Sequence, residues 1–199
     1  MLGFPFTTFA CAGLVRLLIP VFLVWGGCSA PRKELVIDTG RIAQIRRVAV
    51  LPFADGPGAN AVNLGNAVAG LVVDRLSRSD RFRVIERSQL KSIMDELDMK
   101  ASDMIDPATA AKVGKLAGVE AVIMGSVSQY DFDKTVVYIY IIPVVSWSYR
   151  VGASVRIIDV NGGDVIFAHS ASGSSSADYT NAGVRAVDKL LAPLVGRTN

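Results

Sequence analysis

Val48-Ala49-Val50-Leu51-Pro52-Phe53, running straight into Ala54-Asp55-Gly56-Pro57-Gly58, decides the fold class. A short unbroken apolar run that stops at a Gly/Pro cluster reads as a buried strand ended by a turn. A helix is expected next. Over Ala61 to Leu76, the residues Val62, Leu64, Val68, Leu71, Val72 and Leu76 recur mostly at three- and four-residue intervals and give one core-facing stripe. Arg75 and Arg78 suit the negative C-terminal end of such a helix.

Working outward, Arg81-Phe82-Arg83-Val84-Ile85 alternates as a half-buried strand. Ser88 to Leu97 then reads as a helix with Leu90, Ile93, Met94 and Leu97 on one face. Asp106-Pro107 is a helix start, Asp as N-cap and Pro at the first helical position, and Gly118 supplies the stop. Ala121 to Tyr130 is a strand. The chain stays strand-like to His169, with Asn161-Gly162 as a turn between Ser148 to Val160 and Asp164 to Ser170. Thr180 to Leu194 closes as a helix. The resulting order, β-α-β-α-α-β-β-β-β-α, predicts a single α/β domain, a mixed β-sheet with packed helices, over residues 45–196.

Ahead of it lie an expected tether, residues 28–44, and a leader, residues 1–27. Arg16 is the only charge before Cys28, and Leu17 to Trp25 is uniformly apolar apart from Pro20. That length suits the apolar core of a signal peptide. A spanning helix needs about 20 apolar residues and would hold Arg16 near mid-membrane at roughly 2.5 to 3.5 kcal/mol. Gly26-Gly27-Cys28 resembles a lipobox, with Trp25 where Leu is usual, so Cys28 is the expected lipid-attachment residue. Plain secretion and an uncleaved anchor are the alternatives. Ser29 after the cysteine is not the Asp of an inner-membrane retention signal, which favours the outer membrane. A translation start at Val15 rather than Met1 would put the leader's charge in its usual place and remove Cys11.

Composition narrows the function. With 21 Lys and Arg against 18 Asp and Glu, the net charge of +3 is not that of a nucleic-acid binder. Cys11 and Cys28 are the only cysteines and His169 the only histidine. The domain therefore has no thiol for a disulfide, a zinc site or a nucleophile. His169, flanked by small residues at a strand end, reads as structural or solvated rather than as a general base. Asp55-Gly56-Pro57-Gly58 lacks the Lys-Ser/Thr of a phosphate loop, and Gly162-Gly163 lies in a hairpin turn. Asp95, Glu96 and Asp98 fit a solvated helix face. Arg75, Arg78, Arg81, Arg83 and Arg87 read as a solvated surface, with contact to anionic lipid or an envelope partner as the other reading. No enzyme activity, cofactor or metal is expected.

Three boxes, in order, carry a family resemblance: Val84-Ile85-Glu86-Arg87-Ser88-Gln89-Leu90, then Gly118-Val119-Glu120-Ala121-Val122-Ile123-Met124-Gly125-Ser126-Val127, then Val155-Arg156-Ile157-Ile158-Asp159-Val160-Asn161-Gly162-Gly163-Asp164-Val165. Behind a lipobox, the chain resembles the CsgG/HfaB family. The resemblance implies an outer-membrane lipoprotein whose α/β domain faces the periplasm. It also implies a fold related to LpoB-type activators of penicillin-binding proteins and to the N-terminal domain of TolB. The best-known member is a curli secretion channel in which each protomer lends two β-hairpins to a shared barrel. Two such hairpins need about 40 residues beyond the soluble fold. Asp131 to Arg150 sits where the first belongs. Phe167 leads through Ser170 to Ser176 into the last helix, leaving little room for the second.

Thr135 to Trp147, broken by Pro143, is β-branched and aromatic with no polar face. Pro143 removes a ladder donor and belongs at a turn or an edge. Three arrangements fit: a core strand that bends at Pro143, an exposed apolar hairpin, or a transmembrane strand pair. In the second, Tyr138, Tyr140, Ile141, Ile142, Pro143, Val144, Val145, Trp147 and Tyr149 contact an interface or a bilayer surface. Two functions are carried forward. One is an outer-membrane lipoprotein acting as an envelope assembly or adaptor factor through protein contacts. The other is an oligomeric CsgG-type component of a curli-like transport system. The expected partners are the membrane through the lipid, an unidentified envelope protein and further copies of the chain, with no nucleic acid.

Overall fold

The computed structural model of the chain describes residues 36–56, 63–99 and 106–196. The leader and Cys28 lie outside these residues. The described part begins with β1 (Val36–Ile37), α1 (Thr39–Gln44), β2 (Arg47–Val50), β3 (Ala54–Asp55) and α2 (Leu64–Ser77). It continues with β4 (Arg83–Val84), α3 (Arg87–Glu96), α4 (Pro107–Ala117), β5 (Ala121–Ile139), β6 (Ile142–Asp159), β7 (Val165–Ser175) and α5 (Tyr179–Val195). The fold is the expected mixed α/β type with one strand fewer at its C-terminal end. The stretch read as a separate strand around 131–147 is the outer half of two long strands, β5 and β6.

Seven strands form one sheet in the order β1-β7-β6-β5-β2-β4, with β3 also pairing β5. β2 runs parallel to β4, and β2 and β3 both run parallel to β5, whereas β5-β6, β6-β7 and β7-β1 are antiparallel. Because successive strand residues point to opposite faces, the apolar run of β2 serves two cores. Val48 and Val50 enter one, with Ile123, Val155, Ile157 and Phe167 from the sheet, Val68, Val72 and Leu76 from α2, and Leu190 and Leu191 from α5. Ala49 and Leu51 enter the other, with Val122, Met124 and Ile158, under α3 (Leu90, Met94) and α4 (Ala110, Val113). The centre of the sheet is therefore sandwiched between helices.

Local chemistry sets the element ends. Asp106 accepts hydrogen bonds from the Thr109 backbone N–H at 3.0 Å and the Thr109 hydroxyl at 2.9 Å, which caps α4 and draws the Asp106 carboxyl below its usual range. Gly118 ends the same helix at φ 63°, a left-handed conformation that glycine adopts without cost. At Gly173 a Cβ would lie 2.1 Å from the Ala182 carbonyl oxygen, so the missing side chain is what lets α5 lie directly on β7.

Two expectations are corrected. Residues 36–44, assigned to the tether, belong to the folded unit. Asp38 caps α1 through the Arg41 N–H, Ile42 is buried, and Arg41 clamps the β6-β7 turn through Asp159 at 2.7 Å and Asp164 at 3.0 Å. The arginine surface is only partly solvated. Arg75 binds Asp188 at 2.9 Å with a side chain 14% exposed, and Arg81 donates to the carbonyl oxygens of Leu194 and Ile42 while lying over the Phe82 ring. Arg78 pairs with Asp74 in solvent, Arg83 is exposed, and the Arg87 side chain is outside the described part.

Candidate functional site

β5 and β6 are longer than the sheet that holds them. β7 follows β6 only as far as the Tyr149–Ser175 pair, so beyond this level β5 and β6 continue alone as a two-stranded arm. The ladder runs unbroken to Ile139–Ile142, and Tyr140-Ile141 form the loop, with Tyr140 at φ 59°. One positive φ, at the first central residue, matches the II′ kind of two-residue hairpin loop, whose twist suits the flanking strands. A bulge between Val127 and Gln129 marks where β5 leaves the covered sheet.

Register assigns each side chain to a face. The face continuous with the α2/α5 core carries Tyr130, Phe132, Lys134, Val136 and Tyr138 from β5, opposite Val151, Tyr149, Trp147, Val145 and Pro143 from β6. Its inner part is an aromatic ladder. Tyr130 stacks on Tyr179 of α5 at 3.8 Å between ring centroids, Tyr149 meets Tyr179 edge-on at 4.8 Å, and Phe132 bridges Tyr149 at 5.0 Å and Trp147 at 5.6 Å. The Lys134 ammonium lies 4.9 Å from the Trp147 ring centre. Burial pushes the phenols of Tyr130 and Tyr179 above their ordinary pKa.

The opposite face is polar near the body. Arg150 lies 3.8 Å from Asp131 and 3.5 Å from Asp133, and Thr135 faces Ser146. Farther out that polarity ends. Val137 faces Val144 and Ile139 faces Ile142, so the outer arm is apolar on both sides. Tyr140 is 97% exposed, Ile141 91%, Tyr138 69% and Ile142 65%. Pro143, Val144, Val145 and Trp147 are exposed too, while Tyr149 is half-buried at the base. Of the three arrangements the sequence allowed for Thr135 to Trp147, the bent core strand is overturned, because the segment projects from the sheet as a hairpin with exposed side chains, and the lack of a polar face holds only for its outer part. β7 reaches α5 across three residues, so the described residues hold no second projecting hairpin between them.

Elsewhere polar groups are consumed by the fold. His169 Nδ1 is 3.0 Å from the Leu190 carbonyl oxygen and its ring meets Phe167 edge-on. Asp55 accepts from the Gly65 N–H at 2.7 Å, fastening the start of α2, and Asp95 pairs with Lys91. Among the described residues no three His, Cys, Asp or Glu side chains converge as metal ligands, and no helix is long and apolar enough to cross a membrane. Sequence reasoning missed the aromatic partner Tyr179 and the bridging Phe132. Spacing gave no signal for either, because the ladder joins residues from three elements.

The fold and the arm meet a known family. Residues 36–137 match the family model of the curli production assembly/transport component CsgG, and the chain belongs to this family. Its fold is similar to that of PelC from Paraburkholderia phytofirmans, solved as a dodecamer, with a TM-score of 0.54 and 16% identity over 78% of this chain and 91% of that one. It is also similar to the lipoprotein GNA1162 from Neisseria meningitidis, with a TM-score of 0.51 and 20% identity over 75% of this chain and 95% of that one. At these identities the likeness is one of fold. No curated protein matches the chain.

Proposed function

We propose that this protein is a lipoprotein of the outer membrane, acylated at Cys28, whose periplasmic domain acts as an envelope assembly or adaptor factor through contact rather than catalysis. The observation that carries this reading is the β5-β6 arm. An isolated two-stranded hairpin is marginal in water, and one with exposed Val, Ile, Tyr and Trp side chains gains roughly 1.5–3 kcal/mol for each large side chain that a partner covers fully. The body supports the same reading, since its lone histidine, Arg75 and Arg81 are tied to carbonyls and carboxylates of the fold itself.

A second reading, a ring-forming transport component, is favoured by one measure of the arm. Residues 131–139 and 142–150 are each about nine residues long, at the lower end of a membrane-spanning strand. The dodecameric state of the similarly folded PelC supports oligomerisation without fixing a copy number here.

A photo-crosslinker placed at Phe132 in cells separates the readings. A single adduct with a different envelope protein is expected for the adaptor, and adducts at multiples of the chain's own mass for the ring. No adduct in an intact envelope would reject both. The Cys28→Ala chain is expected to leave the membrane fraction, and unchanged partitioning would reject the anchor.

A further inference from the structure

β4 is an edge of the sheet, hydrogen-bonded to β2 on one side and to no strand on the other. The Arg83 N–H donates to the Arg46 carbonyl oxygen at 2.7 Å and the Ile85 N–H to that of Val48 at 3.0 Å. Val84, between them, therefore turns its N–H and C=O away from β2. The backbone is still extended at Glu86, with φ −68° and ψ 144°, which puts the Glu86 N–H on the same open side. On the far part of the sheet, side chains of α5 occupy strand acceptors: Lys189 donates to the Ser172 carbonyl oxygen at 2.9 Å and Arg185 to that of Ser174 at 2.7 Å. Among the described residues no side chain does the same at Val84.

A cleft of about 530 Å³ lies beside this edge, between β4 and α2, walled by Val50, Gly70, Val73, Ser77, Val84 and Ile85. β2 leads into α2 over one core and β4 into α3 over the other, so the cleft opens where the two connections part, the usual place for a ligand in a parallel sheet. Gly70, Val73 and Ser77 fall on one face of α2. Of these, Gly70 has no role in the fold. Glycine weakens a helix interior relative to alanine, and a Cβ at Gly70 would meet no atom within 4 Å. The vacancy serves nothing inside the chain and fits a side chain arriving from outside.

We propose that the β4 edge and this cleft are a docking site for an extended segment of a different protein, which adds to the sheet as a further strand and seats an apolar side chain over Gly70. The site goes beyond the reading above, since it uses neither the arm nor the acyl group.

The two faces of the sheet set the chemistry of the occupant. Alternate residues of an added strand point toward α2, and the rest lie on the α3 side. Those toward α2 meet Val50, Val73 and Val84 and are apolar. Val84 packs on the α2 core and Ile85 on the α3 core, so Arg83 shares the α3 side. Arg83 is exposed with no carboxylate partner among the described residues, and an acid of the added strand beside it completes an ion pair. This chain's own exposed strand acids, Asp131 and Asp133, are already paired with Arg150, which disfavours a second copy as the occupant. The shortness of β4 keeps it from pairing indiscriminately. Main-chain bonds then give affinity, and the cleft gives specificity.

The test selects short random peptides, displayed on phage, against the purified full-length chain, with Gly70→Leu as the counter-selector. Leucine at this position fills the cleft and favours the helix, so the variant folds. Enriched peptides are expected to carry apolar residues at alternate positions with an acid between them, and to bind Gly70→Leu about tenfold more weakly. Their affinity should be unchanged for a chain in which Asn-Gly replaces residues 134–147. In the best peptide, N-methylation of the alternate amides that face β4 should abolish binding, and methylation of the intervening amides should not. The proposal is overturned if no peptide distinguishes the chain from Gly70→Leu. It is equally overturned if both methylated peptides bind alike, which means a pocket for a side chain without strand addition, or if binding is lost with residues 134–147, which places it on the arm. A chain that is dimeric by itself and dissociates on Gly70→Leu would give the edge to a second copy and overturn it too.

Discussion

The inner and outer halves of β5 and β6 are built from the same kinds of residue and end in opposite environments. Val122 and Ile123 face Ile158 and Ile157 and are fully shielded from solvent. Along the same two strands Val137 and Ile139 face Val144 and Ile142 and are exposed. What differs is the cover. α2 and α5 lie on one side of the inner half and α3 and α4 on the other, while no described element lies on the outer half. Identical strand chemistry thus serves as core in one place and as exposed surface about 50 Å farther along.

The sharpest way to break this comparison is to remove one large side chain from the helix-covered sheet and one from the tip of the arm. Phe167→Ala, in the helix-covered region, is expected to cost about 3–5 kcal/mol in denaturant unfolding, since it loses a whole buried ring and leaves a cavity. Ile141→Ala at the tip should stay within about 0.5 kcal/mol. Similar losses at the two positions would show that the arm is folded into the core.

At the base of the arm the effect should be intermediate. Phe132→Ala removes two ring contacts, worth about 0.5–1.5 kcal/mol beyond its burial, and should speed backbone hydrogen exchange from 132 to 148 while leaving β2 protected. Equal acceleration in β2 would mean that arm and body open as one unit.

Acid should act on the body alone. The backbone N–H groups of Arg46 and Arg47 both donate to the Glu120 carboxylate, which holds its pKa below the usual carboxylate value. A carboxyl whose folded pKa is depressed contributes stability that is present above its unfolded pKa and lost as pH falls through the folded one. Glu120→Gln should therefore flatten the decline in stability below about pH 4.5 without altering the arm's exposure to quenchers, and an unchanged acid limb would discount the carboxylate.

The smallest effect is expected from deletion. Replacing residues 134–147 with Asn-Gly should leave the midpoint of body unfolding nearly unchanged, because the segment removed contributes little to either core. It should nevertheless abolish the crosslinks made through the arm.

Much of the body was legible because its signals are local. Asp106-Pro107 and Gly118 mark the ends of α4 at the observed residues, since capping depends on groups three or four positions apart. α1 escaped because six residues give no period to read, although Asp38 before Thr39 was its one clue. The arginine cluster misled for a different reason. Charge is visible in sequence, but the Leu194 carbonyl that Arg81 binds lies 113 residues away.

The sequence by itself determined the order of the four larger helices α2 to α5 and of the strands β2 and β4 among them, the apolar stripes that face the two cores, the lack of thiols in the domain, and the presence of an uncharged run from Thr135 to Trp147. Only the tertiary structure decided that this run leaves the sheet as an arm, that Tyr179 anchors its aromatic base, and that its outer part is apolar on both sides. The division has one physical cause. Periodicity and capping arise between neighbours along the chain, whereas burial depends on which distant elements come to lie on a surface, and strand residues look alike whether or not anything covers them.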